Sequence, residues 1–301
     1  MAPLRKRTRN YICIKITLMK RITLVHTRLK LKLLIIISSF FYQIAFSQTK
    51  EDVLHYISLL PSQEKVLIGQ HCGDGNNINN WAYVAFVMQL HKESGKWVGM
   101  VGGDYGWKEE TDPLIVNESL KKHASYGGLV EVTWHARNPW TGGDVRDNMI
   151  NYKMSELVTP SGENDSTVYD KWITELDKVA TGLQDLKNEG IVVFWRPLHE
   201  MNGGWFWWGK KTQEGFITVW RHMYNYLTNE KGLDNLIWVY SVSPTAEYAK
   251  DIMLYYPGDD YVDILGSDIY DFHNKEDYIN SVVNDLALVK NIAHDIMVMF
   301  K

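Results

Sequence analysis

From residue 48 onward the chain alternates two patterns. Short runs rich in Val, Ile, Leu and aromatic residues are followed by longer stretches whose apolar positions recur every three or four residues. The short runs predict strands at Lys65–Cys72, Trp97–Tyr105, Leu129–His135, Ile191–His199, Leu236–Ser243 and Val262–Tyr270. The longer stretches predict helices at Trp81–His91, Leu114–Ser125, Tyr169–Asn188, Gly215–Asn229 and Tyr278–His294, with a shorter one over Ala246–Leu254. The rings of Trp220–Tyr226 recur at helical spacing and read as core. Strand then helix, repeated six times, is the pattern of a parallel α/β fold. A last apolar run, Ile296-Met297-Val298-Met299-Phe300, reads as the start of a seventh strand.

Two parallel architectures compete. A doubly wound open sheet gathers its unusual residues at one crevice, whereas a (β/α)8 barrel rings them around the C-terminal ends of its strands. Here every predicted strand ends in polar or aromatic residues: Gln70-His71, Asp104-Tyr105, Trp134-His135, His199-Glu200, Ser241 to Ser243, and Asp268 with Tyr270. That distribution favours the TIM-type barrel. No Gly-x-Gly-x-x-Gly follows the first strand, so a dinucleotide-binding sheet has no support. Because about six of the eight units are legible, the barrel is expected to be C-terminally incomplete, with open edges and an uncovered interior.

Charge divides the chain. Ten of the 32 Lys and Arg, but none of the 36 Asp and Glu, fall in residues 1–47, which leaves 22 basic against 36 acidic residues and a net charge of about −14 beyond that point. The basic stretch runs into an apolar core and ends in Ala45-Phe46-Ser47, the layout of a secretory signal peptide cleaved after Ser47. Its apolar core is short for a membrane span; a retained signal anchor is the alternative. Met19, followed by Lys20-Arg21, is a candidate internal start. Residues 48–301 are then one exported barrel domain, secreted, periplasmic or held at the cell surface, with no stable membrane insertion after cleavage. Its acidity argues against nucleic acid and anionic membrane as partners. Cys13 lies in the leader and Cys72 is the one remaining cysteine, so neither a disulfide framework nor a cysteine zinc site is expected.

The chemistry concentrates at Trp195–Gly209, WRPLHEMNGGWFWWG, which holds four of the chain's 12 tryptophans. It follows the apolar run Ile191–Phe194 and sets an Arg, a His and a Glu within five residues, at the point where a buried strand opens into a Gly-Gly loop. Charges there are costly unless paired or used. The indoles of Trp205, Trp207 and Trp208 offer flat apolar faces with a polar edge, suited to the C–H faces of a sugar. Glu200 is the candidate general acid of a glycoside hydrolase, its proton held by apolar surroundings. The structural alternative is a Glu200–Arg196 ion pair, four residues apart on one strand face. His71, His135 and His199 could be imagined as a metal set. No His-x-x-x-His spacing occurs, however, so polar or structural roles are expected, with no metal and no cofactor.

WRPLHEMNGGWFWWG closely resembles the acid/base motif of glycoside hydrolase family 26, best known for β-mannanases. Thr133–Pro139, TWHARNP, and Gly266–Phe272, GSDIYDF, resemble that family's third- and sixth-strand motifs in the same order, and the similarity runs from about Val66 to the end. The resemblance implies a (β/α)8 barrel that cleaves β-1,4-mannosidic bonds with retention. It implies Glu200 as acid/base, His199 positioning substrate, Arg196 orienting the nucleophile, and Trp205 stacking on sugar near the cleavage point. It further implies His135 on the non-reducing side, and Tyr270 bonded to the nucleophile with Asp268 nearby. One feature departs from the family: its nucleophile is a Glu at the end of the seventh strand, and no such Glu occurs in these 301 residues. Glu131, deep on the third strand, reads as structural, and Glu247 lies in a loop. The 301 residues alone are therefore expected to hydrolyse little. The expected partner is β-mannan or a related plant polysaccharide, met by a monomer. A non-catalytic carbohydrate binder, and a β-1,3-xylanase or mixed-linkage glucanase of the same family, are the alternatives.

Overall fold

The computed structural model describes residues 48–74, 78–107, 111–147, 152–160, 168–243, 249–269 and 299–300. The predicted leader, the predicted helix Tyr278–His294, Glu247 and Tyr270 lie outside them.

The chain enters through a helix that the periodicity did not predict, α1 (Lys50–Leu59). Thr49 caps it: its side chain accepts from Asp52 N at 3.1 Å while Asp52 Oδ2 accepts from Thr49 N at 3.0 Å. The strands follow as β1 (Gly69–Asp74), β2 (Met100–Asp104), β3 (Leu129–Trp134), β4 (Val193–Pro197), β5 (Leu236–Val242), β6 (Ile264–Ile269) and β7 (Met299–Phe300). Between them run α2 (Gln89–Ser94), α3 (Pro113–Ser125), α4 (Val168–Asn188) and α5 (Gln213–Tyr224). The expected helix Trp81–His91 is mostly π-helical, since Ile78–Met88 precedes α2 with that winding. The predicted Gly215–Asn229 helix likewise changes to a π-helical turn at Asn225–Glu230, and the short Ala246–Leu254 candidate is a 3₁₀ stretch, Ala249–Tyr255.

All seven strands are parallel and lie in the order β1 to β7 with no reversal. A doubly wound sheet needs a switch point where the order reverses; here each strand pairs with the next, as in a barrel wall. The first six form a curled half-barrel, and β7 continues it through the pairs Asp268↔Met299 and Ile269↔Phe300.

Alternation along the strands sorts the side chains into two sets. Val130, Val132, Trp134, Val193, Trp195, Trp238 and Tyr240 join the apolar cluster shared with the surrounding helices, to which α4 adds Trp172, Leu176, Val179, Leu183 and Leu186. The opposite faces supply a second cluster: Met100, Leu129, Phe194, Ile237, Val239 and Ile264, joined by Val53 of α1. Helix α1 thus plugs the N-terminal end of the barrel, where Lys50 Nζ also meets Asp263 Oδ2 at 2.8 Å. Further along those inward faces the residues turn polar: Asp104, Glu131, Thr133, Arg196, Ser241 and Asp268 are all buried. Gly102 makes room for this layer, since a Cβ there would sit 2.4 Å from Glu131 Oε2 and 2.9 Å from His71 Cδ2. Among the described residues no helix is long and apolar enough to cross a membrane.

Candidate active site

Arg196 on β4 is the hub of the polar layer. Its Nε donates to Glu131 Oε1 at 2.7 Å, and its Nη1 donates to Asp268 Oδ1 and Oδ2 at 2.9 and 2.8 Å. All three side chains are buried. Burial alone would lower the guanidinium's pKa, but Asp268, Glu131 and Glu200 outweigh it and raise the value further, so the cation is permanent. As expected, Glu131 sits deep in the barrel and serves the structure through this ion pair.

Strand β4 ends at Pro197, and the chain turns sharply. Leu198 and Glu200 have φ of 43° and 56°, in the left-handed region that non-glycine residues rarely occupy. Such strain persists only where the surroundings enforce it, and here they do. Glu200 N donates to Ser241 O at 2.9 Å, and the Asn202 side chain bridges β5 by donating to Ser243 O at 2.5 Å and accepting from Ser243 N at 2.9 Å. The extended alternation that would set Arg196 and Glu200 on one face stops at Pro197. The Glu200 carboxylate instead takes a hydrogen bond from Trp205 Nε1, at 2.6 Å from Oε2.

The three loop tryptophans do not share one role. Trp205 is partly exposed beside Glu200, whereas Trp207 and Trp208 are fully buried. Trp207 Nε1 donates to Ala136 O and Trp208 Nε1 to His199 O, both at 2.8 Å. The reading of all three as open sugar platforms is therefore corrected: two of them brace the loop that presents the third.

His135, just beyond β3, is positioned by Asp104 at the end of β2. The Asp104 carboxylate hydrogen-bonds His135 Nδ1 and accepts from His135 N at 3.2 Å, from Gly106 N at 2.7 Å and from Thr133 Oγ1 at 2.9 Å. Burial would push this carboxyl up, but His135, His71 and the Gly106 N–H outweigh it and hold it well below the usual carboxylate range. The imidazole is stacked on Trp107 at 4.3 Å and stands edge-on to His199 at 4.4 Å. Trp107, with φ of 67°, in turn lies under the Arg146 guanidinium, 4.6 Å from its ring centre.

Two histidines, a loop carboxylate held by an indole and a fixed Arg–Asp pair thus meet at the C-terminal ends of β3, β4 and β6. The family model described as Glycosyl hydrolase family 26 matches residues 44–296. The chain belongs to glycosyl hydrolase family 26. A Bacillus subtilis protein named mannan endo-1,4-beta-mannosidase is 35% identical over 246 residues, covering 74% of this chain and 64% of that protein. The mannan endo-1,4-beta-mannosidase A and B of Caldalkalibacillus mannanilyticus is 35% identical over 256 residues, 79% of this chain and 48% of that one. The chain therefore spans less than two-thirds of the length of either relative. The structure of Bacillus subtilis mannanase man26 superposes with a TM-score of 0.65 at 25% identity, over 85% of this chain and 86% of that one.

Of the residues assigned by resemblance to family 26, the structure brings Glu200, His199, His135, Arg196, Asp268 and Trp205 to one end of the barrel; Tyr270 lies outside the described residues. Donor atoms of His199, Glu200 and Asp268 fall within 4.8 Å of one another. Arg196 already grips both Asp268 oxygens and Trp205 one of Glu200's. Asp104 and Asn202 went unassigned in the sequence. Asp104 stood at a predicted strand end with no motif around it, and Asn202 carried no signal beyond its place in the loop.

Proposed function

We propose that this family 26 chain forms the acid/base side of a retaining endo-β-1,4-mannanase cleft. The observation that carries the reading is the Glu200 carboxyl, 5% exposed, gripped by Trp205 and flanked by His199 in a rigid turn after the fourth strand. The names of the family relatives support mannan as substrate.

In this reading Glu200 gives its proton to the glycosidic oxygen as the C1–O bond breaks, while a second carboxylate bonds to C1 from the opposite face. Water then attacks C1, Glu200 takes its proton, and the sugar leaves with its original configuration. Trp205 covers one sugar face, and His135 and His199 hydrogen-bond its hydroxyls. Asp268 holds Arg196 so that the guanidinium also faces the nucleophile. Retention calls for carboxyls about 5–5.5 Å apart. We further propose export by residues 1–47 and action as a monomer.

The test is a comparison on linear β-mannan, β-1,3-xylan and mixed-linkage β-glucan. The enzyme should cleave mannan alone, with the anomeric configuration retained by NMR. Equal rates on the three polymers, or inverted product, would overturn the assignment.

A further inference from the structure

A cavity of about 730 Å³ opens beside the site without including it. Its wall is made by Tyr152–Ser155 on one side and by Gly204, Gly209–Thr212, Glu214, Gly215 and Thr218 on the other. Neither Glu200, His199 nor Trp205 lines it, although Gly204 and Gly209 belong to the loop that carries Trp205. Its volume falls in the range of about 300–1,000 Å³ typical of small-molecule sites.

The charge of this cavity opposes that of the domain. Lys153, Lys210 and Lys211 line it against the single acid Glu214, whereas residues 48–301 as a whole carry 22 basic and 36 acidic side chains. Two of the lysines are held in place. Lys210 has φ of 48°, and its stem runs along Gly204, where a Cβ would meet Lys210 Cδ at 3.5 Å. The Lys211 ammonium lies 5.7 Å from the centre of the Tyr152 ring, which is stacked on Trp140 at 4.6 Å. Burial lowers the Lys211 pKa, a cost that a bound anion would offset. The Tyr152 hydroxyl is buried with no hydrogen-bond partner among the described residues, and a buried hydroxyl in that state calls for a ligand or water. Ser155, Thr212 and Thr218 also line the cavity; the Thr218 hydroxyl donates to Glu214 O and the Thr212 hydroxyl accepts from Gly215 N, which leaves each with further hydrogen-bonding capacity.

We propose that this cavity is an accessory site for an acidic saccharide, in which the lysines take the carboxylate of a uronate residue and the Tyr152, Ser155, Thr212 and Thr218 hydroxyls take sugar hydroxyls. The choice of a sugar acid over a bare anion rests on the hydroxyl-rich wall and on the proposed reading of the adjoining loop as part of a glycan cleft. The site would select substrates carrying acidic side groups, or hold acidic glycan while the neutral backbone occupies the cleft.

The experiment is ligand-observed NMR on the full chain with glucuronate, glucose, inorganic phosphate and mannopentaose. Glucuronate should bind at least tenfold tighter than glucose and tighter than phosphate. Lys211→Gln together with Lys210→Gln should lose that advantage while binding mannopentaose as the parent does. Ser155→Trp, which fills the cavity and keeps all three lysines, should lose glucuronate too. The proposal is overturned if glucuronate binds no better than glucose, if phosphate outcompetes it, or if the variants bind it unchanged. Loss of mannopentaose binding in the parent would instead strike at the mannanase reading, so the two failures are distinguishable.

Discussion

The indole of Trp205 donates to Glu200 Oε2 across 2.6 Å, joining two residues that a left-handed turn at Glu200 brings together. A bond to a charged group is worth roughly 1.5–3 kcal/mol, so the pair can be tested one half at a time. Trp205→Phe keeps an aromatic ring and loses the N–H; kcat on mannan is expected to fall about 10–100-fold, one such bond's worth, with KM little changed. Trp205→Ala should raise KM as well. Equal kinetics for Phe and Trp would show that the hydrogen bond does nothing for the reaction.

Glu200→Gln keeps the shape of the carboxyl and removes its proton transfer. Hydrolysis of mannan should drop by about 10²–10⁴-fold, the usual worth of a general acid, while mannopentaose affinity measured by calorimetry stays close to the parent's. Activity retained in this variant would rule Glu200 out as the acid.

Arg196 neutralises two buried carboxylates at once. Arg196→Met leaves Glu131 and Asp268 buried without a cation and should cost about 3–5 kcal/mol in chemical denaturation. Arg196→Lys should recover only part of that loss, because an ammonium cannot reach both partners with the planar fork. Full rescue by Lys would mean that charge alone matters there.

Asp104 gives the protein an acid-sensitive element. Its folded pKa is depressed by His135, His71 and the Gly106 N–H acting against burial. The unfolded state therefore binds the extra proton first, and stability rises with pH across that window. The contribution is complete above an unfolded value of about 4 and is lost as pH falls below it. Asp104→Asn should be less stable near neutrality and show a flatter stability curve between pH 5 and pH 2. Parallel curves for parent and variant would contradict the assignment.

Cys72 is 1% exposed, and burial pushes its thiol up to about 12. In a Cys13→Ser chain, Ellman's reagent at pH 8 should find no reactive thiol until denaturant is added. Rapid reaction in the native state would show that β1 opens readily.

The sequence alone determined the parallel strand–helix succession, and the Trp195–Gly209 motif marked Glu200, His199 and Arg196 as the chemical centre. Both are local signals: period-2 and period-3.6 patterning follows from backbone geometry, and rare residues crowded at a strand end stand out without any partner in view. What the tertiary structure decided depends on residues far apart in the chain. The strand order excluded the doubly wound sheet. Helix α1 was revealed as the plug of the barrel floor, its single buried Val53 too little to set an amphipathic period. Trp207 and Trp208 were separated from Trp205 because each indole finds a buried carbonyl, Ala136 O beyond β3 and His199 O at the start of the loop. Asp104, 31 residues from His135, became its partner only because β2 and β3 pair in parallel register. Which polar side chain meets which is fixed by the curvature and register of the sheet, and those emerge only when all the strands pack together.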